Sequence, residues 1–234
     1  MNRPVILICG PHREAISGVS THVNLLMDSS LAEDFELVHF VTSPFALFAA
    51  ILFQQVAVVH INTSLNKRAY WRDLGYLLVA KLLRARVVWQ VHGGELPEEF
   101  CRGSAWRLKL LRWTLGLPDL VAVLASTELA AYGALLPGQR VVVMPNGIDC
   151  RAFGRVPTLR SSPQRPLRLL YVGRLAREKG LYEALLGLRI AVEMGIDARL
   201  VVAGDGAEAA ALRRHAQNLG LTSRVTFPGP AFGD

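Results

Sequence analysis

Cysteine is scarce in this chain: three residues in 234, at Cys9, Cys101 and Cys150. So few, so widely spaced, they form neither a disulfide framework nor a metal cluster, and they suit a reducing compartment. The start reads as a strand and not as a secretory leader, since Arg3 and Pro4 precede only a short apolar run. The chain is therefore expected in the cytoplasm. A clean apolar run of roughly 20 residues, the length a membrane helix needs, is also missing. The nearest approach, residues 37–61, is broken by Pro44, Gln54, Gln55 and His60, and its pattern predicts a buried strand, helix and strand. The six histidines have no zinc-like spacing. No glycine loop reads Gly-x-Gly-x-x-Gly with an acid about 20 positions on, which disfavours a dinucleotide oxidoreductase. No nucleic-acid recognition module is evident either.

What is present is a hydrophobic share of 51% and a mean hydropathy of +0.29, enough to bury a substantial core. Short apolar strands alternate with helical stretches. Strands are expected at Val5–Cys9, Leu37–Val41, Val56–Ile61, Val87–His92, Leu120–Leu124 and Val141–Met144. Helices are expected near Thr21–Ser29, Phe45–Gln54, Tyr70–Leu83, Ala105–Leu115 and Thr127–Tyr132. Such alternation implies a parallel, doubly wound α/β sheet, and near-continuous apolar strands fit burial on both faces. Residues Arg151 to Arg168, with Pro157, Pro163 and Pro166 and no periodicity, read as a linker. The rhythm then restarts, with strands at Leu167–Val172, Arg199–Ala203 and Val225–Phe227 and helices at Leu181–Met194 and Ala207–Leu219. The expected division is a domain over 1–156, a linker over 157–166 and part of a second doubly wound domain over 167–234. Three strands and two helices leave apolar surface or a sheet edge uncovered, so a truncated second domain is expected.

Charge is distributed unevenly. The formal net charge is +7, and residues 64–113 carry 10 basic against 4 acidic side chains. Anionic partners are implied, whether phosphate, nucleotide or membrane face. Within that region Trp106, Leu110, Trp113 and Leu117 fall at helical spacing, interleaved with Arg107, Lys109 and Arg112. Such a helix suits peripheral contact with an anionic membrane surface. An ordinary domain helix packing its aromatic stripe on the sheet is the competing expectation.

The most informative stretch is Leu170-Tyr-Val-Gly-Arg-Leu-Ala-Arg-Glu-Lys-Gly180. A strand ends at Gly173, Arg174 follows it, and Lys179 precedes the next helix. Ligands of open α/β sheets bind at such strand ends, where helix N–H groups favour anions. A guanidinium fork and an ammonium there suit a diphosphate. The alternative is a solvated turn with Arg174 paired to Glu178. Gly-Arg-Leu-x-x-Glu-Lys-Gly after an apolar strand resembles the donor-site motif of the family 4 glycosyltransferases. Leu200-Val-Val-Ala-Gly-Asp-Gly206, Leu219-Gly-Leu-x-x-x-Val-x-Phe-x-Gly229 and Met144-Pro-Asn-Gly-Ile-Asp149 are similar to further segments of that family, in the same order. The resemblance implies a retaining GT-B enzyme, with a complete N-terminal Rossmann-like acceptor domain and a partial C-terminal nucleotide-sugar domain. It places Arg174 and Lys179 on the donor diphosphate as leaving-group stabilisers, and Gly173, Gly204, Asp205 and Gly206 around the donor. Fixed cations of this kind stabilise a departing diphosphate without a divalent metal. No Asp-x-Asp pair occurs, so no metal and no cofactor are expected, only a nucleoside-diphosphate sugar as donor substrate.

Two N-terminal constellations complete the expected site. The loop from Gly10 to His22 is similar to the family's glycine loop near the donor phosphates and the acceptor, although Ser17-Gly18 stands where the family has two adjacent glycines. Gly18 permits close backbone approach. In Trp89-Gln-Val-His-Gly-Gly-Glu95, His92 ends a buried strand and Gly93 and Gly94 leave its ring accessible. The resemblance sets His92 beside the donor sugar; a histidine capping the next segment is the alternative. Glu95 is assigned to the acceptor side. His39 and His60 are expected to be buried and hydrogen-bonded, and His215 to lie on a polar helix.

The family's later segment, two glutamates separated by seven residues that contact sugar and ribose, has no counterpart in these 234 residues. Little or no transfer by this chain alone is therefore expected. The acceptor is expected to be a glycan, a lipid-linked molecule or a small molecule, in cell-envelope polysaccharide biosynthesis. A non-catalytic fragment that binds acceptor or partner, and a nucleotide-sugar epimerase of the same fold, remain alternatives.

Overall fold

The computed structural model describes residues 3–15, 17–41, 43–150 and 166–231. The chain divides into two compact units, Met1–Gly154 and Arg155–Asp234. The expected linker lies outside the described residues, apart from Pro166.

The first unit runs β1 (Val5–Cys9), α1 (Gly18–Met27), α2 (Leu31–Asp34), β2 (Glu36–Phe40), α3 (Pro44–Phe53), β3 (Val56–Leu65), α4 (Lys67–Leu82), β4 (Arg86–Gly94), α5 (Pro97–Cys101), α6 (Ala105–Leu115), β5 (Leu120–Val123), α7 (Ser126–Leu135) and β6 (Val141–Val143). All six strands are parallel, in the order β2-β1-β3-β4-β5-β6, so the order reverses between β1 and β3. Residues 37–61 do form strand, helix and strand. Among the described residues no helix is long and apolar enough to cross a membrane.

Helix starts lie earlier than hydrophobic periodicity suggests, because polar caps and not apolar residues begin them. Ser17 caps α1, its Oγ accepting from the Ser20 N–H at 3.1 Å, and Asn66 caps α4, accepting from the Ala69 N–H at 3.1 Å. Helix α1 thus begins at Gly18 instead of Thr21, and α4 at Lys67 instead of Tyr70. The short helices α2 and α5 have no clear apolar periodicity and were not expected. Strands β3 and β4 run on to Leu65 and Gly94, beyond their apolar cores, because each continues to pair with the other: Thr63 pairs with Val91 and Leu65 with Gly94.

Alternation along the strands sorts their side chains onto two faces. Val5, Leu7, Cys9, Val59, Ile61, Val87, Trp89, Val91, Val121 and Val123 share one core with Leu47 of α3, Leu77 of α4, Leu111 of α6 and Tyr132 of α7. The other face carries Ile8, His60, Asn62, Gln90 and Ala122, all buried, and the buried Ser20, His22 and Val23 belong to α1. One face is therefore dry and aliphatic, and the other is polar at its centre.

The second unit holds β7 (Leu167–Val172), α8 (Leu181–Glu193), β8 (Ala198–Ala203), α9 (Ala209–Asn218) and β9 (Val225–Gly229), with a 3-10 turn at Arg177–Lys179. Its three strands are parallel, in the order β7-β8-β9. Leu181, Leu185 and Leu188 of α8 and Leu212 and Ala216 of α9 pack with Leu200 and Val202 into one core. Leu169, Leu170 and Val172 on the edge strand remain exposed.

Candidate functional site

In the first unit the site grows from two strands of alternating pattern. His60 and Asn62 on β3 and Gln90 and His92 on β4 are all two residues apart, and register pairs Asn62 with Gln90. All four therefore point to the α1 side of the sheet. His60 Nε2 lies 2.9 Å from Gln90 Oε1, and His92 Nε2 lies 2.9 Å from Asn62 Oδ1. The Asn62 amide donates to the Cys9 carbonyl at 3.3 Å, which fixes its oxygen toward His92. Gln90 Nε2 donates to the Met144 carbonyl at 3.4 Å and ties the Met144–Asp149 segment to the same layer.

Electrostatics make this layer neutral. Burial, reinforced by the neighbouring His22 and His60 rings, pushes the His92 pKa down to about 3, with Asn146 acting weakly the other way. His60 falls to about 4, mainly through burial. A neutral His92 that donates from Nε2 to Asn62 carries its lone pair on Nδ1. That atom is buried and has no hydrogen-bond partner. The arrangement suits accepting a hydroxyl proton in a hydrogen bond; a ring this acidic is a poor general base at neutral pH.

His22 belongs to the same cluster and was not singled out from the sequence. Its ring centroid lies 4.5 Å from that of His92, it is 6% exposed, and neither ring nitrogen has a partner. Asn62 and Gln90 were missed as well. The available signal was polar residues recurring at period two inside otherwise apolar strands. That pattern matters only once register sets the two strands side by side.

The surrounding loops resolve the other N-terminal positions. Ser17, which stands in for a glycine of the family loop, is a helix cap whose Oγ also lies 2.7 Å from Ser20 Oγ. Among the described residues, chain neighbours and the helix's own backbone aside, nothing comes within 4 Å of where a Gly18 Cβ would sit, so packing against them does not require glycine there. Gly93 and Gly94 are the last residues of β4, and the following Glu95 N–H donates to the Leu65 carbonyl at 3.1 Å. The Glu95 carboxylate faces Arg102 at 3.7 Å. His39 is half-buried and bonds the Pro11 carbonyl at 3.0 Å.

In the second unit the turn after β7 is held by the turn after β8. The Gly173 N–H donates to the Ala203 carbonyl at 3.0 Å and the Leu175 N–H to the Asp205 carbonyl at 2.9 Å. A Cβ on Gly204 would lie 1.9 Å from the Gly173 oxygen, and one on Gly206 would lie 2.3 Å from the Leu175 oxygen. These two glycines are needed because backbone meets backbone, which sets the turn that carries Arg174. Asp205 folds back on itself, Oδ1 accepting from the Gly206 N–H at 2.8 Å. Arg174 donates to Glu178 at 3.1 Å, with side chains 70% and 62% exposed, so the simpler of the two sequence expectations is also met. A pair that open contributes little and is readily exchanged for another anion. Lys179 is exposed and has no side-chain partner among the described residues. His215 is half-buried against Tyr182, ring centroids 5.1 Å apart.

On α6, Leu111, Thr114 and Leu115 face the core, whereas Trp106 and Trp113 are 62% and 51% exposed. The stripe is therefore split: its two tryptophans point outward, whereas Leu110 and Leu117 pack against the core, so the expectation that it packs on the sheet holds only for the leucines. Among the described residues no three His, Cys, Asp or Glu side chains converge as a metal ion requires.

Residues 34–152, just over half of the chain, match the family model described as Glycosyltransferase Family 4, and residues 160–231 match glycosyl transferases group 1. Among solved structures, sucrose-phosphate synthase from Thermosynechococcus elongatus is similar over 98% of this chain and 71% of its own, with TM-score 0.72 and 18% identity. HepE from Anabaena, solved with UDP and glucose, is similar over 97% and 69%, with TM-score 0.65 and 14% identity. WaaG, a glycosyltransferase of lipopolysaccharide biosynthesis, is similar over 97% and 70%, with TM-score 0.57 and 14% identity. At these identities the likeness speaks to the fold. Among curated proteins none matches. Two parallel α/β units of this order, and a family model spanning half the sequence, identify the chain as a GT-B glycosyltransferase belonging to Glycosyltransferase Family 4.

Proposed function

We propose that the enzyme transfers a sugar with retention from a nucleoside-diphosphate sugar, with Arg174 and Lys179 neutralising the diphosphate as it leaves. The observation that carries this is the buttressed turn after β7. It offers a guanidinium and an ammonium, both exposed, at a strand end ahead of α8. Departure of the nucleoside diphosphate concentrates negative charge on its terminal phosphate, and fixed cations lower the energy of that state. They act in place of a divalent metal, so a chelator is expected to leave donor binding unchanged. Gly173, Gly204, Asp205 and Gly206 form the donor-side turns. His92 accepts a hydrogen bond from a donor-sugar hydroxyl at Nδ1, while Ser17, Gly18, Gly93, Gly94 and Glu95 border the acceptor.

A nucleoside diphosphate is the direct probe, and the presence of UDP in the HepE structure makes UDP a suitable first choice. Titration calorimetry with UDP, GDP and ADP is expected to show one preferred ligand, bound more weakly by Arg174→Ala and Lys179→Ala. Unchanged affinity in both variants removes the diphosphate assignment. Little or no transfer is expected of these 234 residues alone, so retention is read from whatever product they form: its anomeric configuration by proton NMR must match that of the donor.

The acceptor is a glycan, a lipid-linked molecule or a small molecule, reached on the cytoplasmic side of a membrane. Trp106 and Trp113 with Arg107 and Lys109 give α6 the chemistry of a peripheral anchor. Flotation with anionic vesicles tests it: Trp106→Ala/Trp113→Ala is expected to lose vesicle binding, and retained binding refutes the anchor.

A further inference from the structure

A cleft opens at the C-terminal end of the first unit's sheet, where strand order reverses between β1 and β3. Ligands of open α/β sheets bind at such a reversal. The cleft has a volume of about 270 Å³ and is bordered by Ser17, Asn62, Ser64, Asn66, Arg68 and Arg72. None of its lining residues is acidic, and its two charged side chains are both arginines.

The arginines differ in a useful way. Arg72 is held by its neighbour Asp73, Nε donating to Oδ1 at 2.7 Å and Nη2 to Oδ2 at 3.0 Å. The Asp73 side chain is 1% exposed and the Arg72 side chain 42%. The buried carboxylate thus fixes the guanidinium plane and leaves Nη1 without a hydrogen-bond partner among the described residues. Arg68, one helical turn earlier, is exposed and has no ion-pair partner among the described residues. Arg72 supplies orientation and Arg68 an uncompensated charge, beside the hydroxyl-bearing Ser17 and Ser64. A tetrahedral oxyanion meets this donor set better than a neutral sugar does, because guanidinium groups bind phosphate oxygens in pairs.

Asn62 joins this cleft to the histidine layer, since it borders the cleft and also accepts from His92 Nε2 at 2.9 Å. We propose that the cleft is a subsite for a phosphoryl group on the acceptor, gripped by Arg68 and Arg72, with the acceptor's reacting hydroxyl reaching past Asn62 toward His92. The inference rests on the glycosyl-transfer reading above and narrows the acceptor to a phosphorylated molecule. A soluble sugar phosphate and a lipid-linked phosphate share this chemistry.

Titration of the full chain separates the possibilities. The probes are glycerol 3-phosphate, dihexanoyl phosphatidic acid below its micellar concentration, and UDP. The variants are Arg68→Ala, Arg72→Lys, which keeps a charge against Asp73 but loses the fork, and Arg174→Ala. Arg68→Ala is expected to weaken whichever phosphate ester binds by about tenfold, the loss of one charge-assisted contact, and to leave UDP unchanged. Arg72→Lys is expected to weaken the same ester, and Arg174→Ala to weaken UDP alone. Preference for glycerol 3-phosphate supports a soluble acceptor, and preference for the phosphatidic acid a lipid one. The proposal is overturned if neither ester binds the wild-type chain, or if both bind Arg68→Ala and Arg72→Lys as well as wild type. A fall in UDP affinity in Arg68→Ala as large as that in Arg174→Ala also overturns it, by making the cleft part of the donor site. Failure of the donor assignment appears separately, as UDP binding indifferent to Arg174→Ala.

Discussion

His60, Asn62 and Gln90 of the first unit are buried and joined to their neighbours by hydrogen bonds, whereas Arg174 and Lys179 of the second unit stand in water. His60, Asn62 and Gln90 are at most 8% exposed, yet Arg174 and Glu178 are 70% and 62% exposed. The contrast matches the roles proposed for the two clusters. A sugar is recognised by directional hydrogen bonds, which need fixed, desolvated partners whose own lone pairs are accounted for. A diphosphate is recognised by charge, and a cation left in water costs nothing to maintain until an anion arrives. Buried groups are pre-ordered by strand register; exposed ones are aimed by a rigid turn beneath them.

The sharpest way to break the comparison is to remove the rigid turn. Gly204→Val forces side-chain atoms onto the Gly173 carbonyl and is expected to cost about 3 kcal/mol or more of the second unit's stability. Calorimetry should show one transition lowered and the first unit's transition unmoved. Arg174→Ala and Lys179→Ala, by contrast, are expected to leave both transitions in place. Each should weaken nucleoside-diphosphate binding by about ten- to a hundredfold, as measured by titration.

Acid should separate the units in a third way. His92 and His60 titrate near 3 and 4 when folded but near 6.5 when unfolded. Between those limits the unfolded chain binds more protons, so stability is full above about pH 6.5 and is lost as pH falls through the folded values. Thermal melts from pH 7 to pH 4 should show the first unit losing stability, with a shallower dependence in His60→Asn. The smallest effect concerns Glu178→Ala. Losing so exposed a partner should change stability by less than about 0.5 kcal/mol, and diphosphate affinity should hold or rise as Arg174 is released.

Much of this was legible beforehand for local reasons. The strand at Leu167–Val172 and the helix at Ala105–Leu115 were bounded correctly because Pro166 precedes the first and Gly116 follows the second. The Gly173–Gly180 turn stood out because glycine and basic residues there answer to rules acting within a few positions. Helix α1 begins three residues before its apolar pattern predicts because Ser17, which resembles a replaced glycine, is in fact its cap. The outward tilt of Trp106 and Trp113 could not be read from spacing, since an apolar stripe looks alike whether it meets a sheet or water. His22 went unremarked because its importance lies in a ring 70 positions away.

By itself, the sequence determined the alternation of strands and helices, the family to which the chain belongs, and the identity of Arg174 and Lys179 as the cations at a strand end. All of these depend on neighbours close in the chain. Tertiary structure alone decided which polar residues meet. Parallel pairing of β3 with β4 set His60 against Gln90 and Asn62 against His92, and left one lone pair of His92 unpartnered. Pairing of β7 with β8 brought Gly204 against Gly173. The physical reason is the same in both units: hydrogen-bonded register between strands far apart in sequence fixes distances of a few ångströms, and chemistry depends on those distances.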